Sequence, residues 1–312
     1  MYALDHPTLG HSPIENALLL ARTLDDGARL HLVTHSRGGL VAEVLAQACA
    51  APLEDLSLFA GTEYKTQHAA LKELATLVRR KKIGVERVVR VACPARGTLL
   101  ASKRLDAYVS VLKWTLELAG IPVAPALVDF LGSVAQYRTD PGTIPGLAAQ
   151  MPGSPLIQWL HQVGSPVPGD LRVVAGDMAG DSVISWLKTL LSDAFYWNDN
   201  DLVVQTRSMY GGAPRASSAT FRLDQGGTVS HFSYFANERT ADAIVSGLID
   251  DAPQGFRTIG PLSWAGESST GVRGARRGGA AGARESGKPA VFVLPGMLGS
   301  NLKVDGERVW LS

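Results

Sequence analysis

From residue 1 to about residue 250 the chain alternates short apolar runs with longer stretches in which apolar residues recur every three or four positions. Short Val- or Leu-rich runs bounded by Gly, Asp or Pro read as buried strands, and the periodic stretches as helices laid against them. Strands are expected over residues 2–5, 29–34, 85–92, 171–175 and 219–223. Helices are expected over 12–24, which opens with Ser-Pro, over 38–49, and over 69–80, which runs into Arg79-Arg80-Lys81-Lys82. That basic run suits the negative end of a helix dipole and reads as solvated. Strands alternating with helices predict an α/β fold, with a mostly parallel, doubly wound sheet in a core spanning residues 1–250.

Between about 105 and 163 the rhythm breaks. Trp114, Leu118, Phe130, Tyr137 and Trp159 are spread through helical stretches separated by Pro-Gly turns. This reads as a helical cap inserted into the core; the plainer alternative is that the same aromatics fill the core itself. Residues 251–288 have little to bury and contain Gly-Val-Arg-Gly-Ala-Arg-Arg-Gly-Gly-Ala-Ala-Gly-Ala-Arg, the composition of a flexible linker. An apolar run, Ala290-Val-Phe-Val-Leu294, then leads into Pro295-Gly296, so residues 290–312 hold an isolated strand and turn.

Composition narrows the function classes. The chain has 312 residues, 46% of them hydrophobic, and a formal charge of +1, enough for one full core or two modest ones. So even a charge balance supplies no field to hold a polyanion, which argues against nucleic acid as a partner. Two cysteines, Cys49 and Cys93, are too few for a disulfide framework and fit a reducing, cytoplasmic setting. The first residues show neither a basic nor an apolar leader region. The most apolar stretch, 121–135, is interrupted by Pro122, Pro125 and Asp129 and is shorter than the roughly 20 residues a bilayer requires, so no transmembrane helix is expected.

The strongest chemical signal is Leu30-His-Leu-Val-Thr-His-Ser-Arg-Gly-Gly-Leu40, an apolar strand entering a small-residue turn and then a helix. A serine at such an elbow is lifted clear of the sheet, and the helix start behind it offers N–H groups and dipole to a developing oxyanion. Ser36 is therefore the candidate nucleophile, against the simpler reading of an N-capping serine. It needs a histidine base and an acid, which follow an elbow serine in the order acid, then histidine. Of the histidines after Ser36, His68 and His161 read as surface or packing residues. His231, in the glycine-rich loop 226–235 between the last strand and the last helix, is the candidate base. Asp201, in Trp197-Asn-Asp-Asn-Asp-Leu-Val-Val-Gln-Thr-Arg-Ser208, is the candidate acid, with Asp177 after the strand 171–175 as the alternative. No Cys/His spacing fits zinc, the Asp/Asn cluster lacks the alternation and closing Glu of a calcium loop, and no phosphate-cradling glycine loop follows a strand. No metal and no cofactor are expected.

Together Thr34-His-Ser-Arg-Gly-Gly39, Asp201-Leu-Val-Val-Gln-Thr-Arg-Ser208 and Val229-Ser-His231 resemble the α/β-hydrolase superfamily, and within it the lipase-like branch related to lecithin:cholesterol acyltransferase. Cys93-Pro-Ala-Arg-Gly-Thr98 is similar to the T-P-H-x-G-T turn of those lipases. Pro295-Gly-Met-Leu-Gly-Ser300 resembles the P-G-x-L-G segment that ends their third strand and furnishes an oxyanion-hole amide. The resemblance covers most of 1–250 and, separately, 290–312. It implies a serine-dependent acyl hydrolase, lipase- or esterase-like, or an acyltransferase, whose partner is a small-molecule or lipid ester. In that scheme Ser36 attacks, His231 carries the proton, Asp201 orients it, and the N–H groups of Arg37 and Met297 hold the oxyanion.

Two departures stand out. Thr34 replaces the first glycine of G-x-S-x-G, and the third strand, which should precede residues 2–5, would lie upstream of Met1. Either the chain is a piece of a longer protein with hydrolase segments missing at both ends, 290–312 opening a second hydrolase domain, or the tail folds back as in a circular permutation. The superfamily's strand order leaves a slot between 2–5 and 29–34, and the linker reaches on the order of 100 Å, so docking of the tail there is expected whatever the chain's origin. A hydrolase scaffold with a crippled oxyanion side, used for binding or assembly, is the rival reading.

Overall fold

The computed structural model describes residues 1–50, 53, 55–98, 144–162, 166–177, 206–213, 215–216, 219–225, 234–259, 289–296, 303–304 and 307–308. Most of the expected cap, with Trp114, Leu118, Phe130 and Tyr137, lies outside them. Seven strands form one sheet: β1 (Tyr2–Ala3), β2 (Arg29–His35), β3 (Gly84–Val91), β4 (Asp170–Asp177), β5 (Ala219–Gln225), β6 (Arg257–Ile259) and β7 (Ala290–Leu294). Their order is β1-β7-β2-β3-β4-β5-β6, parallel throughout except that β6 runs against β5. A separate two-stranded ribbon pairs β8 (Lys303–Val304) with β9 (Glu307–Arg308). This is an α/β fold with a mostly parallel sheet.

The long helices are α1 (Pro13–Thr23), α2 (Gly38–Ala50), α3 (Lys65–Lys81) and α6 (Glu238–Ile249); two short ones, α4 (Pro145–Ala148) and α5 (Pro155–Leu160), lie between β3 and β4. At the start of α1 the Ser12 hydroxyl accepts the Glu15 N–H at 3.4 Å and the Glu15 carboxylate accepts the Ser12 N–H at 2.9 Å. Two orphan donors are satisfied reciprocally, and Pro13 stands where no N–H is needed. Helix α3 begins four residues before the expected 69 and ends on Lys82, left-handed at φ 55°. The basic run there is not simply solvated. Lys81 Nζ donates to the carbonyls of Ala21, Arg22 and Leu24, closing the end of α1.

Neighbouring residues of β3 show how the helices divide. Arg90 reaches Glu43 on α2, whereas Val89 lies against Gly247 on α6, and successive strand residues point to opposite faces. Helices α1, α2 and α3 pack together on the first face and α6 covers the second. The last turn of α6 is tied to the sheet by two cations: Arg87 donates to Leu248 O at 2.8 Å and Arg172 to Gly247 O at 2.7 Å, each a favourable partner for helix-end carbonyls. Trp159 on α5 is buried edge-on to Phe59, so this member of the aromatic set fills the core.

One feature changes the expected organisation, and a second is the expected docking of the tail. The stretch assigned to the linker from 251 supplies β6 on the sheet edge, and Asp251 accepts from Arg87 at 3.1 Å, so ordered core continues to residue 259. The tail strand β7 sits between β1 and β2, with Tyr2 level with Phe292 on one side and Leu30 to Thr34 level with Ala290 to Leu294 on the other. The Leu4 N–H adds a bond to Val293 O at 3.1 Å. Among the described residues, strand β1 joins the sheet only through β7.

Just beyond β1, His6 is buried, and burial together with the Arg37 guanidinium pushes its imidazole down to about 4. The unfolded chain therefore binds a proton between pH 6.5 and 4 that the fold does not. His6 contributes stability above pH 6.5, and this is lost as the pH falls towards 4. Over that range the unfolding free energy, followed by urea titration, should fall by about 3 kcal/mol more in the wild type than in His6→Asn. Parallel curves for the two proteins would contradict the assignment.

Candidate active site

Because β7, β2, β3, β4 and β5 all run the same way, their carboxyl ends share one edge of the sheet, where ligands of open α/β sheets bind. Ser36 follows β2 at that edge with φ 52°, a left-handed conformation rare for a residue bearing a side chain. The strain is held in place by bonds on both sides. Ser36 N–H donates to Val91 O at 2.8 Å, Gly39 N–H returns to Ser36 O at 3.0 Å, and Leu40 N–H to Arg37 O at 2.9 Å. The Arg37 N–H, which points from the same turn, makes no hydrogen bond to a described residue. The simpler alternative of an N-capping serine is thus not what Ser36 does: its backbone makes the turn, and its side chain makes no hydrogen bond to a described residue.

The glycines after Ser36 are required by what lies against them. A Cβ on Gly38 would fall 2.7 Å from Pro295 O and closer still to Leu294 O, at the end of β7. One on Gly39 would fall 2.6 Å from the Cys93 Cβ and 2.9 Å from the Arg90 Cγ. Gly296 in turn touches the serine: a Cβ there would lie 2.7 Å from the Ser36 Cβ. Thr34, in place of the first glycine of the motif, is fully buried with its hydroxyl 3.4 Å from Val89 O, so the larger residue is accommodated. Cys93 is a packing residue, its thiol pushed up to about 12 by burial.

The Arg37 side chain passes into the interior and donates to Gly146 O at 3.2 Å and to His11 O. It ties the loop before α1 and the start of α4 to the elbow without a carboxylate at its head, and burial lowers its pKa. On the other face, His35 lies 5.7 Å from the Phe235 ring and 6.4 Å from that of Tyr234. Both aromatics belong to the sequence segment 226–235 that holds His231.

Of the residues expected at the site, Ser36 and Arg37 are described, and Asp177 is placed as the last residue of β4, two strands from β2, about 10 Å at ordinary strand spacing. Asp201, His231 and Met297 lie outside the described residues. Among the described residues no group of His, Cys, Asp and Glu side chains could hold a metal ion, and no helix is long and apolar enough to cross a membrane. A cavity of about 750 Å³ opens at the opposite end of the sheet, beside Arg29, His31 and Arg87 at the amino ends of β2 and β3, away from the elbow.

Sequence reasoning missed a buried ionic cluster behind the elbow. Glu43 on α2 accepts from Arg90 and from Arg215, each at 2.6 Å, and all three side chains are buried. Burial alone would raise the Glu43 carboxyl, but Arg215 and Arg90, with the Ala213 N–H, outweigh it and hold it below the usual range. His161, read as a surface or packing residue, is packed here: its Nδ1 is 2.7 Å from Ile157 O and its Nε2 accepts the Gly212 N–H at 3.0 Å, which fixes a neutral ring protonated at Nδ1. The available signal was a lone charge inside an apolar run, Glu43 in Leu40-Val-Ala-Glu-Val-Leu45 and Arg90 in Val88-Val-Arg-Val91, since charges are rarely buried unless paired.

The family model described as Domain of unknown function (DUF7379) matches residues 1–80 and 66–249. No curated protein matches the chain.

Replacing glycine by alanine in a helix ordinarily stabilises by up to about 1 kcal/mol. At Gly38 the opposite is expected, because the added methyl meets main-chain oxygens of β7: Gly38→Ala should lower the unfolding free energy by about 1–3 kcal/mol in urea titration. A gain in stability would mean that β7 does not press on the elbow.

Proposed function

The chain belongs to that family, and from its own residues we propose that it is a serine-dependent acyl hydrolase of the α/β-hydrolase type, acting on a carboxylic ester. The observation that carries this reading is the strained Ser36, held at φ 52° between a parallel strand and a helix, with the neighbouring Arg37 N–H uncommitted among described residues. The strand order adds support, since β7 fills the position that the superfamily gives to its third strand, and brings Pro295-Gly296 against the serine.

In the proposed reaction the Ser36 hydroxyl attacks the ester carbonyl while His231 takes its proton, and the negative oxygen is held by the N–H groups of Arg37 and Met297. Collapse breaks the acyl–oxygen bond. His231 hands its proton to the departing alcohol, leaving the acyl group on Ser36. Water then attacks with His231 again as base, regenerating the serine; an alcohol in place of water makes the same cycle an acyl transfer. Asp201 orients the imidazole and offsets its charge. His231 is three residues before Tyr234, a covalent span of about 11 Å at most, and Tyr234 already lies beside His35. Asp177 is the alternative acid, favoured by its place at the carboxyl edge. An apolar cap over this edge would suit a lipidic acyl chain.

A fluorophosphonate probe tests the proposal. The wild type should be modified on Ser36 and Ser36→Ala should not, and Asp201→Asn should slow hydrolysis of a p-nitrophenyl ester by about 10⁴-fold while Asp177→Asn leaves it within a few-fold. No modification of the wild type, or equal modification of Ser36→Ala, would overturn the enzyme reading in favour of a binding module. A loss confined to Asp177→Asn would move the acid to β4.

A further inference from the structure

Burying two guanidinium groups with one carboxylate is expensive compared with filling the same volume with apolar side chains, so what the cluster holds is informative. Beyond its internal bonds, and apart from the Ile157 carbonyl beside His161, it reaches one stretch of main chain among the described residues. Arg90 donates to Met209 O at 3.0 Å, Glu43 accepts the Ala213 N–H at 3.3 Å, and His161 accepts the Gly212 N–H. Gly212, at φ 109°, has no room for a side chain, because a Cβ would lie 2.8 Å from the Arg90 Nη1 and 2.9 Å from the Glu43 Oε2. Immediately upstream the Ser208 hydroxyl donates to Gly97 O and Ser208 O accepts the Arg96 N–H at 3.1 Å. The stretch so clamped, 206–213, begins five residues after Asp201. The clamp itself stands on α2, seven residues beyond Ser36, about two turns along the helix that starts at the elbow.

We propose that Glu43, Arg90 and Arg215 are positioning residues: they register the segment that delivers the triad acid against the helix that carries the nucleophile, so that acid, imidazole and serine meet. This rests on the reading of Ser36, His231 and Asp201 as a catalytic set. The connection between β4 and β5 is otherwise long, from residue 178 to 218, and needs a fixed point near its functional end. None of the three side chains touches substrate. They act through the backbone at 209–213.

The variant to examine is Arg215→Met, which leaves Glu43 paired one to one with Arg90. With folding verified at the assay temperature, kcat for ester hydrolysis should fall about tenfold to a hundredfold with KM within about threefold, the signature of misplaced catalytic groups. The acidic limb of the rate profile should move down by about one pH unit, because an imidazole separated from its carboxylate is easier to deprotonate. Arg215→Lys should restore most of the rate, and in the Asp201→Asn background Arg215→Met should cost nothing further. If Arg215→Met does not fold, Arg90→Lys, which keeps the charge beside Glu43 but loses the bond to Met209 O, carries the same expectations. A lowered melting temperature with unchanged kcat and pH profile, or an equal loss in the Asp201→Asn background, would overturn the positioning role and leave the hydrolase reading intact. A wild type that neither hydrolyses esters nor reacts with fluorophosphonate would overturn both.

Discussion

A strand placed between two parallel neighbours has to satisfy main-chain groups on both, and here that strand, β7, comes from the far end of the chain. Its residues pair with β1 on one side and with β2, the strand that carries the serine, on the other. Without it the N–H and C=O groups along that side of β2 would be unpaired and β1 would have no partner in the sheet, an arrangement that buried backbone does not tolerate. The same strand determines what can stand at the elbow, because the carbonyls of Leu294 and Pro295 leave space only for a glycine at position 38. Sheet closure and the shape of the Ser36 turn are therefore one constraint.

Buried cations extend that constraint outward. Arg37 links the elbow to the carbonyls of His11 and Gly146, Arg90 and Arg215 link α2 to the segment before β5, and Arg172 and Arg87 hold the end of α6. Arg37 and Arg172 spend their hydrogen bonds largely on main-chain oxygens, Arg87 and Arg90 each combine a main-chain oxygen with carboxylates, and Arg215 bonds to the Glu43 carboxylate. Arginine suits this use, since its planar fork offers several donors in fixed directions and keeps its charge. Through Arg37, Arg90 and Arg215, loops at the carboxyl edge are attached to the rigid sheet and its helices, which is how irregular backbone can present side chains with fixed geometry; Arg87 and Arg172 do the same at the opposite end.

The sheet was legible in the sequence because its strands are short apolar runs bounded by turn residues, and six of them fall within two residues of expectation. The elbow was legible because it needs small residues at fixed offsets. Strand β6 was hidden: Arg257–Ile259 is polar and three residues long, and it follows a loop rich in turn formers. Helix α3 began early because Lys65, Thr66 and Gln67 carry no apolar signal, although Gln67 is buried. The ionic cluster escaped because pairing between Glu43, Arg90 and Arg215 depends on which strands are neighbours, and local pattern does not encode it. The bond made by His161 escaped for the same reason, its partner Gly212 being 51 residues away.

If the Ser36 turn and the end of β7 together form an oxyanion site, a crystal structure of the full chain carrying a phosphonate adduct will show phosphorus bonded to the Ser36 Oγ and the phosphonyl oxygen about 3 Å from the Arg37 N–H and from an N–H just after Gly296, as an oxyanion-hole geometry demands. An adduct whose phosphonyl oxygen faces solvent, with β7 withdrawn from between β1 and β2, would contradict it.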